Sequence, residues 1–334
     1  MTVPKIELHV HLEGTIRPGT LLGIARRNAL PLPADTEEEL ARLYRYRDFT
    51  QFLSVWAMTT KVLQREADFR QVVVDYAHEA AAHGAVYVEG IFTPAEPVRR
   101  GTAWDEVFTG YCDGAQQARE ETGVEVRLTP DIPRGYPVEY GELTARHALR
   151  YRDRGVVGLG LGGSEEFPPE LFEHAFAVGR DGGLASVPHA GEWAGARSVW
   201  GALETLRADR IRHGVRAVED GALVSELAGR RVVLDVCLIS NVVTRSVGSL
   251  VEHPLPRLMA AGVSCSLSTD DPAMFGTDLS REYEAAASIG AGAERLYEAG
   301  VEGALCDETT RTRLAELGRS TDWSALAGRA RDGG

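Results

Sequence analysis

The chain has 334 residues, 44% of them hydrophobic, and a formal net charge of −13. That length and apolar share allow a large core, including one closed α/β barrel. The acidic balance argues against binding to nucleic acid or to anionic lipid. No apolar run reaches membrane-spanning length and no basic-then-apolar leader opens the sequence, so a cytoplasmic protein is expected. The four cysteines (Cys112, Cys237, Cys265 and Cys306) are far apart and form no CxxC pair; reduced, mostly buried thiols are expected.

The first β-like run is IELHV, near the start. A long helical stretch over about 15–84 follows, including FTQFLSVWAMTTKVLQ and ADFRQVVVDYAHEAAAHG. Then come AVYVEGIF from Ala85, VEVRLTPDI from Val124 and GVVGLGL from Gly155. LASVPHA from Leu184, RIRHG from Arg210, RVVLDVC from Arg231 and VSCSLST from Val263 complete a set of eight. Helical patterns such as WDEVFTGYCDGAQQARE and YGELTARHALRYRD lie between them, at the spacing of βα units. Strand and helix alternating through a whole chain imply a parallel sheet, and eight units imply a closed (β/α)8 barrel. The chain is expected to form one barrel domain over 1–334, with a helical insertion over the barrel mouth and a helical tail from about Ser280 on its outside.

Catalytic groups in such a barrel come from the C-terminal ends of its strands. His9 and His11 end the first run and share one face of it. His189 ends the fifth, His213 the sixth, and Asp270 with Asp271 the eighth. Each has an ordinary reading taken alone: a hydrogen-bonded histidine couple, a satisfied strand-end histidine, an aspartate pair opening a turn before Pro272. Gathered at one rim, three neutral imidazoles and a carboxylate suit a borderline metal such as zinc, one per chain, with room for a water whose pKa it lowers to near neutral. Glu192, three residues after His189, suits proton donation to a substrate.

HVHLEGT, PHAGE, RIRHG and STDDP, in this order, resemble the adenosine deaminase family of the amidohydrolase superfamily, over Pro4 to about Glu284. The resemblance implies that His9, His11, His189 and Asp270 bind one zinc and that Glu192 protonates N1 of a 6-aminopurine. It implies that His213 orients or deprotonates the water, that Asp270 positions it, that Asp271 hydrogen-bonds N7 and that the Gly163 backbone donates to the purine. For Glu192 to begin protonated at neutral pH, an enclosed site must raise its pKa.

Some letters depart from the adenosine-specific pattern. Glu13 replaces an aspartate that contacts ribose, Gly160 replaces another aspartate, and Leu238 replaces a proline. The opening HVHLEGTIRPGTLLGIARRN and VWAMTTKVL are most similar to actinobacterial members assigned to aminodeoxyfutalosine, a menaquinone precursor with an aromatic carboxylate at its 5′ position. Such a substrate wants an apolar pocket and a cation. The insertion offers Phe49, Phe52, Trp56 and Met58, with Arg17, Arg45 and Arg47, although its aromatics also suit its own core. Adenosine or deoxyadenosine ranks second and adenine third. Amide or ester hydrolysis on the same barrel is a remote alternative. A barrel that merely binds a ligand would be expected to have lost Glu192 or a ligand residue. The expected partner is a small purine, with association into a homo-oligomer left open.

Three other patterns carry no site. Gly158, Gly160 and Gly163 spell GxGxxG, but Pro168 and Pro169 interrupt the helix a phosphate would need. His78 and His83 are five apart and lie on different helix faces. The HxE at His11–Glu13 lacks the PCxxC partner of cytidine-type deaminases. Glu89 and Asp131, on the second and third runs, are assigned no role.

Overall fold

The computed structural model describes residues 3–45 and 49–324. Its strands are β1 (Lys5–His11), β2 (Ala85–Phe92), β3 (Glu125–Pro133), β4 (Gly158–Gly162), β5 (Ala185–Ser186), β6 (His189–Ala190), β7 (Arg210–His213), β8 (Val233–Val236) and β9 (Cys265–Leu267). Every pairing is parallel, in the order β1-β2-β3-β4-β5 and then β6-β7-β8-β9. The ring closes where Val10 bridges Asp270: His11 N–H donates to Asp270 O at 2.8 Å and Asp270 N–H to His9 O at 3.1 Å. This is the expected (β/α)8 barrel.

The fifth expected strand appears as two short pieces, β5 and β6, because Pro188 between them has no N–H for the ladder. Val187 N–H still reaches Leu159 O (2.9 Å), and the Pro188 carbonyl accepts from Arg212 N–H (3.0 Å). The chain therefore changes neighbours without breaking the wall. β1 is buried on both faces except at His11, as a covered parallel strand must be.

Between β1 and β2 run α1 (Pro18–Arg27), α2 (Glu37–Leu43), α3 (Phe49–Lys61) and α4 (Glu66–Ala82). Apolar residues of these helices, among them Leu21, Ile24, Val55, Phe69 and Val72, share one hydrophobic cluster with Val10 and Val88 of the wall. The insertion is thus packed on the barrel by continuous apolar burial, the main favourable term in folding.

The tail is helical over Leu279–Ser288, Ala293–Gly303 and Glu308–Ser320. It does more than cover the outside. Arg210 Nη1 donates to Gly303 O (2.6 Å) and Leu305 N–H to Glu89 Oε1 (2.6 Å), so the Gly303–Leu305 turn seals the barrel at the end away from His213. Cys112, Cys237 and Cys265 are buried, Cys306 is half-buried, and all four are free thiols. Among the described residues no helix is long and apolar enough to cross a membrane.

Candidate active site

The barrel interior is charged as well as apolar. Fully buried Arg210 pairs with Glu89 (2.6 Å) and Asp235, and Arg212 with Asp131 and the Thr129 hydroxyl (2.6 Å). Buried guanidinium groups persist only when paired in this way. Gly160 has a steric role here, since a Cβ there would collide with both Asp131 and Arg212. Glu89 and Asp131, left without a role by the sequence, are the counter-ions of this interior. Of the GxGxxG glycines, Gly160 is the one that makes room for the Asp131–Arg212 pair.

Above this layer the rim histidines converge. His189 Nε2 lies 3.0 Å from His9 Nε2 and 3.1 Å from His11 Nε2, and Asp270 Oδ1 lies 3.3 Å and 3.2 Å from the same two rings. His189 Nδ1 faces the Leu161 carbonyl (2.9 Å) and His9 Nδ1 the Asp235 carbonyl (3.3 Å). A carbonyl accepts only, so both rings carry their proton on Nδ1, and burial holds both below the usual histidine range. Two bare Nε2 lone pairs then face each other in a largely buried site, an arrangement a cation relieves. Tetrahedral zinc with ligands at about 2.0–2.1 Å would space neighbouring ligand atoms by about 3.3 Å, so the donor set fits that ion.

Asp270 is held from behind by the Ser240 hydroxyl, which donates to Oδ2 at 2.6 Å. Although buried, it is kept well below the usual carboxylate range by His11 and His9. Asp270 (φ 67°) and His213 (φ 62°) both adopt left-handed backbone conformations, costly for non-glycine residues and concentrated at functional sites.

Glu192 follows β6 with Oε2 3.4 Å from His213 Nε2, and Thr244 donates to its Oε1 at 3.4 Å. Burial, then the Asp270 charge, push the Glu192 carboxyl well above its ordinary range, as a proton donor at neutral pH requires. His213 Nε2 is also 3.9 Å from Asp270 Oδ2, and burial with His9 lowers the ring to about 3. Burial pushes Asp271 up to about 8, and its Oδ1 has no protein partner. Gly14 is required beside it, because a Cβ there would stand inside the Asp271 carboxyl group.

The remaining expected site residues fall in different places. Glu13 is buried, its Oε1 accepting from Thr93 N–H (2.8 Å) and its Oε2 left unpartnered. Gly163 follows β4 at φ 97°, a conformation that favours glycine. The Arg17 guanidinium is engaged by Glu79 and by the Thr277 carbonyl (3.2 Å). Trp56 and Met58 are half-buried against the insertion's core, and Arg45 is exposed. The side chains of Phe49 and Phe52, and all of Arg47, lie outside the described residues. His78 pairs with Glu121 and His83 with Ser280 and Asp278, so they share no ligand. Ser240, Asn241, Thr244 and His253 also meet the rim, and only their place after β8 in the sequence points to it.

A barrel carrying this His₃Asp donor set beside a buried glutamate belongs to the metal-dependent hydrolases. More narrowly, a family model described as Adenosine deaminase matches residues 4–318, and the chain belongs to that family of hydrolytic deaminases. It is 52% identical over 329 residues to a protein from Acidothermus cellulolyticus named aminodeoxyfutalosine deaminase, covering 96% of this chain and 92% of that one. The crystal structure of an adenine deaminase from Arthrobacter aurescens superposes with a TM-score of 0.89 at 30% identity, over 95% of this chain and 98% of the other. An amidohydrolase from Burkholderia ambifaria, solved with bound Zn, gives 0.89 at 26% identity, over 98% and 93%.

Proposed function

We propose that this chain is a zinc-dependent deaminase of an adenine nucleoside, with 6-amino-6-deoxyfutalosine as its preferred substrate. Water replaces the amine at C6, giving the 6-oxopurine and ammonia. The single observation that carries the substrate is the 52% identity, over nearly the whole chain, with a protein of that name. On this reading the enzyme works in the cytoplasm, in menaquinone synthesis.

His9, His11, His189 and Asp270 would hold the metal, and the zinc-bound Burkholderia relative supports the choice of ion. When bound, zinc supplies a water activated as a nucleophile at neutral pH. Water attack at C6 disrupts an aromatic ring, so the ring must be made electrophilic. Glu192, protonated because it is buried, gives its proton to N1. Asp271 is largely neutral at pH 7 and can donate to N7, which carries no proton in a 9-substituted purine. His213, between Glu192 and Asp270, orients or deprotonates the attacking water. The Gly163 backbone contributes a further hydrogen bond to the purine.

A second reading, free adenine as substrate, is favoured by the similarity to the Arthrobacter adenine deaminase. Comparing kcat/KM for aminodeoxyfutalosine, adenosine and adenine separates the readings. Preference for the 5′-extended nucleoside is expected, and a higher value for adenine would overturn the ranking while leaving the chemistry intact.

A further inference from the structure

His213 has a second side, facing away from the substrate space, where an uninterrupted file of hydrogen bonds runs into the protein. Leu255 N–H donates to His253 Nδ1 at 3.1 Å. His253 Nε2 lies 3.2 Å from Asn241 Oδ1, and Asn241 Nδ2 lies 3.2 Å from His213 Nδ1. Asn241 is fully buried, His253 is 3% exposed and His213 is 1% exposed, so all three are shielded from bulk solvent.

The direction of this file follows from its outer end. A backbone N–H can only donate, so His253 Nδ1 accepts. A neutral imidazole has one proton, which His253 must then carry on Nε2. Burial lowers the His253 ring to about 4, so it is neutral at pH 7. Its Nε2–H needs an acceptor, and Asn241 can offer only Oδ1. The Asn241 amide is thereby turned so that its NH₂ points at His213 Nδ1, which must accept. One backbone donor thus fixes the orientation of an amide and two imidazoles.

We infer that Asn241 and His253 are positioning residues that hold His213 as the Nε2–H tautomer, with its proton directed toward Glu192 and Asp270. A ring held this way cannot take a proton from the attacking water at Nε2. It can donate a hydrogen bond there to the oxygen that joins C6, and so stabilise the adduct. Of the two roles open to His213, orienting and deprotonating, the relay selects the first. His213 is the opposite of His9 and His189, whose proton sits on Nδ1 and whose Nε2 is bare. The difference separates a donor from the ligands of one small rim. The catalytic consequence rests on the deaminase reading, whereas the tautomer does not.

The test uses the zinc-loaded full chain labelled with 15N at histidine. Long-range 15N–1H correlation spectra report which ring nitrogen is protonated. The wild type is expected to show a protonated Nε2 and a bare Nδ1 at His213. Asn241→Asp replaces the donor with an acceptor and should move the His213 proton to Nδ1, with kcat falling roughly 10²–10⁴-fold and KM within a few-fold. Should that variant fold poorly, His253 serves instead. His253→Gln keeps a donor toward Asn241 Oδ1 and should keep kcat within a few-fold, whereas His253→Leu should lose it and give mixed tautomers. A protonated Nδ1 in the wild type overturns the inference, as does an unchanged tautomer and kcat in folded Asn241→Asp. If the wild type deaminates no purine, the deaminase reading fails and the ring spectra alone judge the relay.

Discussion

His9 and His189 present Nε2 to Nε2 across 3.0 Å, each with its proton tied to a backbone carbonyl on the opposite side of the ring. Two lone pairs at that distance repel one another, and a cation held between them would turn the contact into a favourable one. Removing the metal with a chelator should lower the melting temperature by several degrees, and adding back zinc should restore it, because an ion that binds only the folded state stabilises it by mass action. His189→Ala should hold far less than one zinc per chain. Elemental analysis alongside calorimetry reads both effects.

Glu192 is no part of the His9, His11, His189 and Asp270 group, and the proposed mechanism confines its role to turnover. Glu192→Gln keeps the shape and the contact with Thr244 but cannot deliver a proton to the ring. Full zinc content is expected, with kcat reduced roughly 10²–10⁴-fold. Near-normal turnover would remove Glu192 from the mechanism.

Gly14 provides a steric test of Asp271. Its backbone is not left-handed, so alanine is disfavoured there only by collision with the Asp271 carboxyl. Gly14→Ala should lower kcat/KM at least tenfold, roughly the worth of one good hydrogen bond to substrate. Gly23→Ala in α1, which meets nothing within 4 Å, should leave kinetics alone and stabilise the fold by up to about 1 kcal/mol.

Glu282 predicts a pH dependence of stability distinct from that of catalysis. Its buried carboxyl accepts from Leu238 N–H (3.0 Å) and the Thr277 hydroxyl (3.2 Å), and burial raises it from the ordinary 4.5 to about 8. Between those values the folded chain holds a proton that the unfolded chain has released. The Glu282 contribution to stability should therefore fall as pH rises from about 4.5 to about 8, by an amount on the order of a few kcal/mol. Glu282→Gln cannot ionise, so the stability difference between wild type and variant, read from denaturant melts across the window, should follow that fall.

The fold and the inner ring of the site were legible because their signals are local or repeat along the chain. His9 and His11 are two apart on a strand, and His189, His213 and Asp270 recur at strand ends. Pro188 was visible in VPHAGEW, but its effect, a fifth strand in two pieces, depends on neighbours that no local pattern names. The supporting groups were hidden for a different reason. Ser240 behind Asp270, Asn241 behind His213 and Asp131 opposite Arg212 work through partners 28 to 81 residues away. Arg17 shows the opposite case: its charge was plain in the sequence, but its pairing with Glu79 needs α4 folded back onto the barrel.

The central claim is that the rim cluster, loaded with metal, removes a purine 6-amino group. The most direct measurement follows loss of adenine absorbance and release of ammonia from aminodeoxyfutalosine by zinc-loaded, metal-stripped and zinc-restored protein. The account predicts one ammonia per purine converted with zinc, loss of at least 10³-fold in rate on stripping, and recovery on adding zinc back. No conversion of aminodeoxyfutalosine, adenosine or adenine by fully zinc-loaded protein, or turnover indifferent to the metal, would contradict it.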